Sequence, residues 1–115
     1  MGIVVHRAIV VTSWKESLLI ELANRARALD VEVLGPSAAV LNGYRTLVLC
    51  PCGSNEGWAD DAANRDARCE LKDWMDTQRY EDGSTSLEWT EIAYGNDMVG
   101  REFQSAVTDD TWRRR

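Results

Sequence analysis

Only eight residues, Pro36 to Gly43, separate two apolar runs that both read as strands: "VEVLGP", starting at Val31, and "YRTLVLC", Tyr44 to Cys50. A parallel connection needs a crossover of about a dozen residues or more. A link of this length, closing on Asn42-Gly43, suits a hairpin, because Asn-Gly readily takes the left-handed backbone that tight turns require. No other feature narrows the fold as much.

The rest of the chain falls into place around that hairpin. "RAIVV", Arg7 to Val11, is a short β-branched run and reads as a buried strand. Ser13 and Glu16 have capping-box spacing and predict a helix from about Trp14 to Leu29. Leu19, Leu22, Ala26 and Leu29 form its inner stripe. A longer helix is expected from about Ala59 to Tyr80, with Ala63, Ala67, Leu71, Trp74 and Met75 facing inward and Gly83 able to close it. "LEWTEIAYG", Leu87 to Gly95, reads as a last strand; Ile92 and Tyr94 are out of phase with Leu87 and Trp89, which predicts a bulge near Glu91.

The order β-α-β-β-α-β predicts an α+β fold, the ferredoxin-like plait: a four-stranded sheet with two helices on one face. The alternative is a small doubly wound α/β sheet. One domain is expected over residues 1–97. Residues 98–115 read as a C-terminal arm, a short helix or an extended and flexible segment, ending in Arg113-Arg114-Arg115.

Composition sets the class. The chain has 115 residues, 44% hydrophobic and 28% charged, enough for one self-sufficient core. No apolar run approaches the roughly 18 residues of a membrane helix, and neither a signal peptide nor a myristoylation pattern is present. Three cysteines argue against a disulfide framework. These features predict a cytoplasmic protein with no membrane partner.

The net charge of −6 disfavours sequence-independent binding to phosphate backbones. The acidity is concentrated between Glu56 and Asp82, where nine acidic residues face four basic ones. Most such runs are solvated helix faces. The sharper reading makes Asp61, Asp66, Glu70, Asp73 and Asp76 a surface for a protein partner.

"LCPCGSNEGW", Leu49 to Trp58, invites three chemical readings. Cys50, Cys52, Cys69 and His6 offer zinc-type donors, but Cys50 and Cys52 are one residue apart, closer than zinc knuckles allow. A nucleophilic Cys52 needs a base, and His6 is the one histidine. With the first and third strands taken as parallel, His6 falls at the far end of the sheet from both cysteines, which sets aside the metal and the cysteine–histidine pair. The same parallel arrangement brings two helix starts to one edge, so that Thr12, Ser13, Trp14 and Lys15 stand beside Gly53, Ser54, Asn55 and Trp58 as a cradle for an anionic ligand. The competing reading is plain capping and turn formation. No nucleotide motif supports the cradle. No catalytic set, metal or cofactor is expected, and the chain reads as a non-enzyme.

Five tryptophans are many for this length. Trp74 and Trp89 read as core. Trp14, Trp58 and Trp112 fall in loops or helix starts, where large aromatics mark contact surfaces.

The segments "HRAIVVTSW", "NGYRTLVL", "GSNEGW" and "RYEDGS", spread over residues 6 to 95, resemble small accessory proteins of tailed phages of actinobacteria, to which no activity is assigned. Eleven arginines against two lysines fit such a source. The resemblance implies a small binder of host or virion proteins. The expected function is therefore an acidic module that binds and modulates a protein partner, self-association included. The alternatives are a binder of a small anion or nucleotide signal, and a virion structural component.

Overall fold

The computed structural model describes residues 4–55 and 57–95, and the backbone of 102–105. The strands are β1 (His6–Ser13), β2 (Val33–Leu34), β3 (Arg45–Leu49), β4 (Glu88–Tyr94) and β5 (Glu102–Ser105); the helices are α1 (Glu16–Ala28) and α2 (Ala59–Thr77). They form one five-stranded sheet in the order β2-β3-β1-β4-β5, with every neighbouring pair antiparallel. The doubly wound alternative, which needs parallel neighbours, is not what the chain adopts.

The hairpin expected from the short link is present: β2 pairs with β3 through Val33↔Leu49 and Leu34↔Val48. Between them the chain makes a 3-10 turn at Leu41–Gly43, with Asn42 at φ 62° and Gly43 at φ 75°. Gly35 is at φ 97°, and a Cβ there would lie 2.8 Å from the Thr46 carbonyl oxygen, so that only glycine fits where the chain leaves β2.

The helices cover one face of the sheet. Ile9 and Val11 of β1, Leu47 and Leu49 of β3, and Trp89 of β4 point to that side and are buried. Leu19, Leu22, Ala23 and Ala26 of α1 close over them, joined by Leu71 and Met75 of α2 and by Leu87. Each buried large aliphatic side chain contributes about 1.5–3 kcal/mol through removal from water. Trp89 belongs to this core, and Trp74 lies at its margin with Arg25 stacked 4.8 Å from its ring centre.

Several local expectations are corrected. Ser13 is the last residue of β1, and Lys15 is the residue that caps α1. The Ser13 hydroxyl accepts from the Lys15 N–H at 3.0 Å, while Glu16 reaches Arg45 at 2.8 Å instead of returning to Ser13. The capping box is therefore split between a local turn and a tertiary ion pair. α2 ends at Thr77, earlier than expected, and Ala63 is exposed. Gly83 closes the following turn, donating to the Tyr80 carbonyl, and does not cap the helix.

β4 pairs residue by residue with β1 from His6↔Tyr94 to Thr12↔Glu88, without a bulge. Its apparent phase slip has another cause. Trp89, Glu91 and Ala93 alternate onto the helix-facing side, and Ile92 lies on the open side. A carboxylate occupies an inner position.

The sheet has a fifth strand beyond residue 97. β5 pairs with β4 through Thr90↔Ser105 to Ala93↔Glu102, so part of the expected C-terminal arm extends the sheet. The remainder of that arm, with Trp112 and Arg113 to Arg115, lies outside the described residues, as does Glu56. Among the described residues, no helix is long and apolar enough to cross a membrane.

Candidate interaction site

The two halves of the expected anion cradle do not meet. β1 and β3 are antiparallel, with Ser13 opposite Arg45 and Ile9 opposite Leu49. The start of β3 therefore lies beside Thr12–Lys15, while its end, with Gly53, Ser54, Asn55 and Trp58, lies at the opposite end of the sheet. Asn55 bridges to Val4, on the other side of the eight-residue β1 strand, roughly 25 Å away at normal strand rise. The reason lies in the hairpin. β2 runs in the same direction as β1, and a tight return from β2 forces β3 to run against both.

The same reversal corrects the placing of His6. It lies at the end of the sheet that carries Cys50 and Cys52, not at the far end. There the Cys52 thiol meets the Ser54 hydroxyl at 3.0 Å, and the His6 ring lies 5.4 Å from that of Tyr94. Burial, and the charge of Glu32 after it, push the Cys50 thiol up from its ordinary pKa. Among the described residues, no three His, Cys, Asp or Glu side chains are grouped so as to hold a metal ion.

The end of the sheet that carries Thr12–Lys15 is built from three junctions. The first joins β1 to α1, the second is the β2–β3 loop, and the third is the turn from α2 to β4. Glu16 and Arg45 tie the first two together. Thr12 and Thr46 share a hydroxyl hydrogen bond of 2.8 Å across the β1–β3 pair. In the third junction, Tyr80 and Ser84 close a turn, and Ser84 donates to Asp82, which holds the Asp82 carboxyl below its ordinary pKa.

Large apolar side chains stand in solvent around this end: Trp14 is 52% exposed, Val40 68%, Leu41 87% and Tyr80 46%. Ala38 and Ala39, beside Val40 in the loop, are exposed as well. The Lys15 ammonium lies 5.6 Å from the ring centres of both Trp14 and Tyr80. Below it is a cleft of about 170 Å³ with Lys15, Leu18, Thr77, Tyr80 and Ser86 in its wall. Sequence reasoning found Trp14 and Lys15 but missed Tyr80, Val40 and Leu41. The signal was present for the loop: "SAAVL" is an apolar run beside a turn dipeptide, with no partner strand to bury it.

The acidic residues of α2 are where the sequence placed them. Asp66, Glu70, Asp73 and Asp76 are exposed and Asp61 is half-buried. Asp61 accepts from the Gly57 N–H, and Asp76 pairs with Arg79. The same helix carries a second set of charges on its inner side. Arg68, 5% exposed, donates to Glu91 at 2.6 Å and to Asn64 at 2.9 Å; Lys72 donates to the other Glu91 oxygen at 3.0 Å. Burial alone raises the Glu91 pKa, but the hydrogen bonds and charges of Lys72 and Arg68 outweigh it and hold the carboxyl below the ordinary range. This group is a structural tie between α2 and β4. Trp58, at the start of α2, is 59% exposed at the opposite end of the sheet from Trp14.

Comparison of the chain with protein-family models, with curated proteins and with solved structures gives no match.

Proposed function

We propose that the chain is a protein-binding module whose contact surface is the sheet end formed by Trp14, Val40, Leu41 and Tyr80. The observation that carries this reading is the exposure of those four side chains at one end of the sheet, two of them, Trp14 and Tyr80, beside Lys15. Water disfavours large apolar surface, and a cluster of it with a polar rim marks a docking site. The size of two clefts among the described residues adds support. Those beside Lys15 and beside Trp74 hold about 170 and 180 Å³, below the range of about 300 Å³ and more that small-molecule sites occupy.

The scaffold we read as a ferredoxin-like plait with an added edge strand. In support, the strand order taken from the other side is β4-β1-β3-β2, with all neighbours antiparallel and both helices in split β-α-β units.

The test is affinity capture from the cell that makes the protein, comparing wild type with Leu41→Asp and Asp66→Lys. This reading expects the wild-type partner to be lost with Leu41→Asp and kept with Asp66→Lys. The reverse pattern transfers the contact to the acidic face of α2. A thermal shift with a small anion, and no captured protein, favours the ligand-binding alternative; large symmetric particles in light scattering favour a virion component.

A further inference from the structure

Neither helix covers the second face of the sheet. Ile9, Val11, Leu47, Leu49 and Trp89 point toward the helices, so Val10, Val48 and Thr90, one residue out of step, point away. A straight cross-strand row crosses that second face. Leu34 stands opposite Val48, Val48 opposite Val10, Val10 opposite Thr90, and Thr90 opposite Ser105. Ala8 and Ile92 pair beside it. Leu34 is 61% exposed, and Val10, Val48 and Ile92 are half-buried. The charges of this side are acidic. Glu88 alternates with buried Leu87 and Trp89, Glu32 alternates with buried Val31 and Val33, and both are exposed. Among the described residues, no lysine or arginine holds a strand position on this side.

From this row we infer that residues 106–115 fold back over the open face as a strap, with Trp112 seated on Val10 and Val48 and an arginine of Arg113 to Arg115 against Glu32 at the far edge. The row ends at Ser105, where the last described strand delivers the chain. Trp112 comes seven residues later, a reach of about 23 Å when extended, and β5 to β3 spans three strand spacings, about 14 Å. The excess leaves room for a turn, which Thr108-Asp109-Asp110-Thr111 has the polar residues to make. The indole takes the apolar centre out of water, and the arginines that follow find a carboxylate with no competing cation on the face. A tethered arm meets the face at an effective concentration on the order of millimolar, which favours it over a second copy of the chain. This inference is independent of the sheet-end surface.

The test is NMR of the isotope-labelled full chain. Nuclear Overhauser contacts are expected between the Trp112 indole and the methyl groups of Val10 and Val48. Trp112→Ala is expected to abolish them and to shift the Val10, Val48 and Leu34 methyl signals, while those of Leu19 and Leu71, under the helices, stay in place. Glu32→Arg, and added salt, should weaken the contacts without removing them. Absence of any indole–valine contact in the wild type overturns the strap. So does a contact seen only between chains in a mixture of labelled and unlabelled protein, which would make the face a dimer interface. Equal shifts at Leu19 and Val48 in Trp112→Ala would mean that the arm acts on the whole fold and not on this face. A contact that Glu32→Arg leaves undiminished overturns the pairing with Glu32.

Discussion

Two lysines of this chain live in opposite circumstances. Lys72 lies on the inner side of α2, where it and Arg68 close on Glu91, a residue 6% exposed. Lys15 lies at the rim of the sheet, between Trp14 and Tyr80, and meets no acid among the described residues. Arg68, Lys72 and Glu91 complete one another within the molecule and hold a helix in place. Lys15 has only aromatic neighbours of this kind, Trp14 and Tyr80.

The largest expected effect comes from breaking the inner group. Glu91→Ala strands Arg68 in a nearly dry site and is expected to cost about 3–5 kcal/mol in urea denaturation. A loss under about 1 kcal/mol would mean that α2 relaxes and lets water reach the guanidinium, and the contrast with Lys15 would fail.

Acid probes the same group more gently. The folded-state pKa of Glu91 is depressed, so its contribution is fully present above the unfolded carboxylate pKa, about 4.3, and disappears as pH falls through the lower folded value. The urea midpoint is expected to fall with pH in that window, and the fall should be shallower in Glu91→Ala. Parallel titrations of the two proteins would remove Glu91 from the account.

Much of this division was open to sequence reasoning, and part of it was misread for physical reasons. The hairpin was legible because eight residues cannot make a crossover. The direction of β3 follows from that same hairpin; treating β1 and β3 as parallel contradicted it and produced a cradle from residues at opposite ends. Glu91 sits at the alternating inner position of Leu87, Trp89, Glu91 and Ala93, and a charge there was taken for a bulge because its partners, Arg68 and Lys72, are about twenty residues away in sequence. Pairing across that distance has no local periodicity. Tyr80 joined the Lys15 cluster because α2 ends at Thr77, and helix ends are the least marked features of a sequence.

At the rim, effects on stability should be small and effects on binding large. Lys15→Met is expected to change stability by less than about 1 kcal/mol, the scale of an exposed cation–π contact. Leu41→Asp, at 87% exposure, should leave the urea midpoint almost unmoved and eliminate partner capture. The smallest changes are expected at Asp66→Lys and Asp73→Lys on the solvent face of α2, within about 0.5 kcal/mol in stability, with capture retained. Loss of capture there would make the acidic helix the contact surface.

The most direct measurement is site-specific photocrosslinking in the cell that makes the protein, with a photoreactive phenylalanine analogue at position 41 in one sample and at position 66 in the other. The sheet end as contact surface predicts a discrete protein adduct from position 41 and none from position 66. An adduct from position 66 alone, or from neither position, contradicts it.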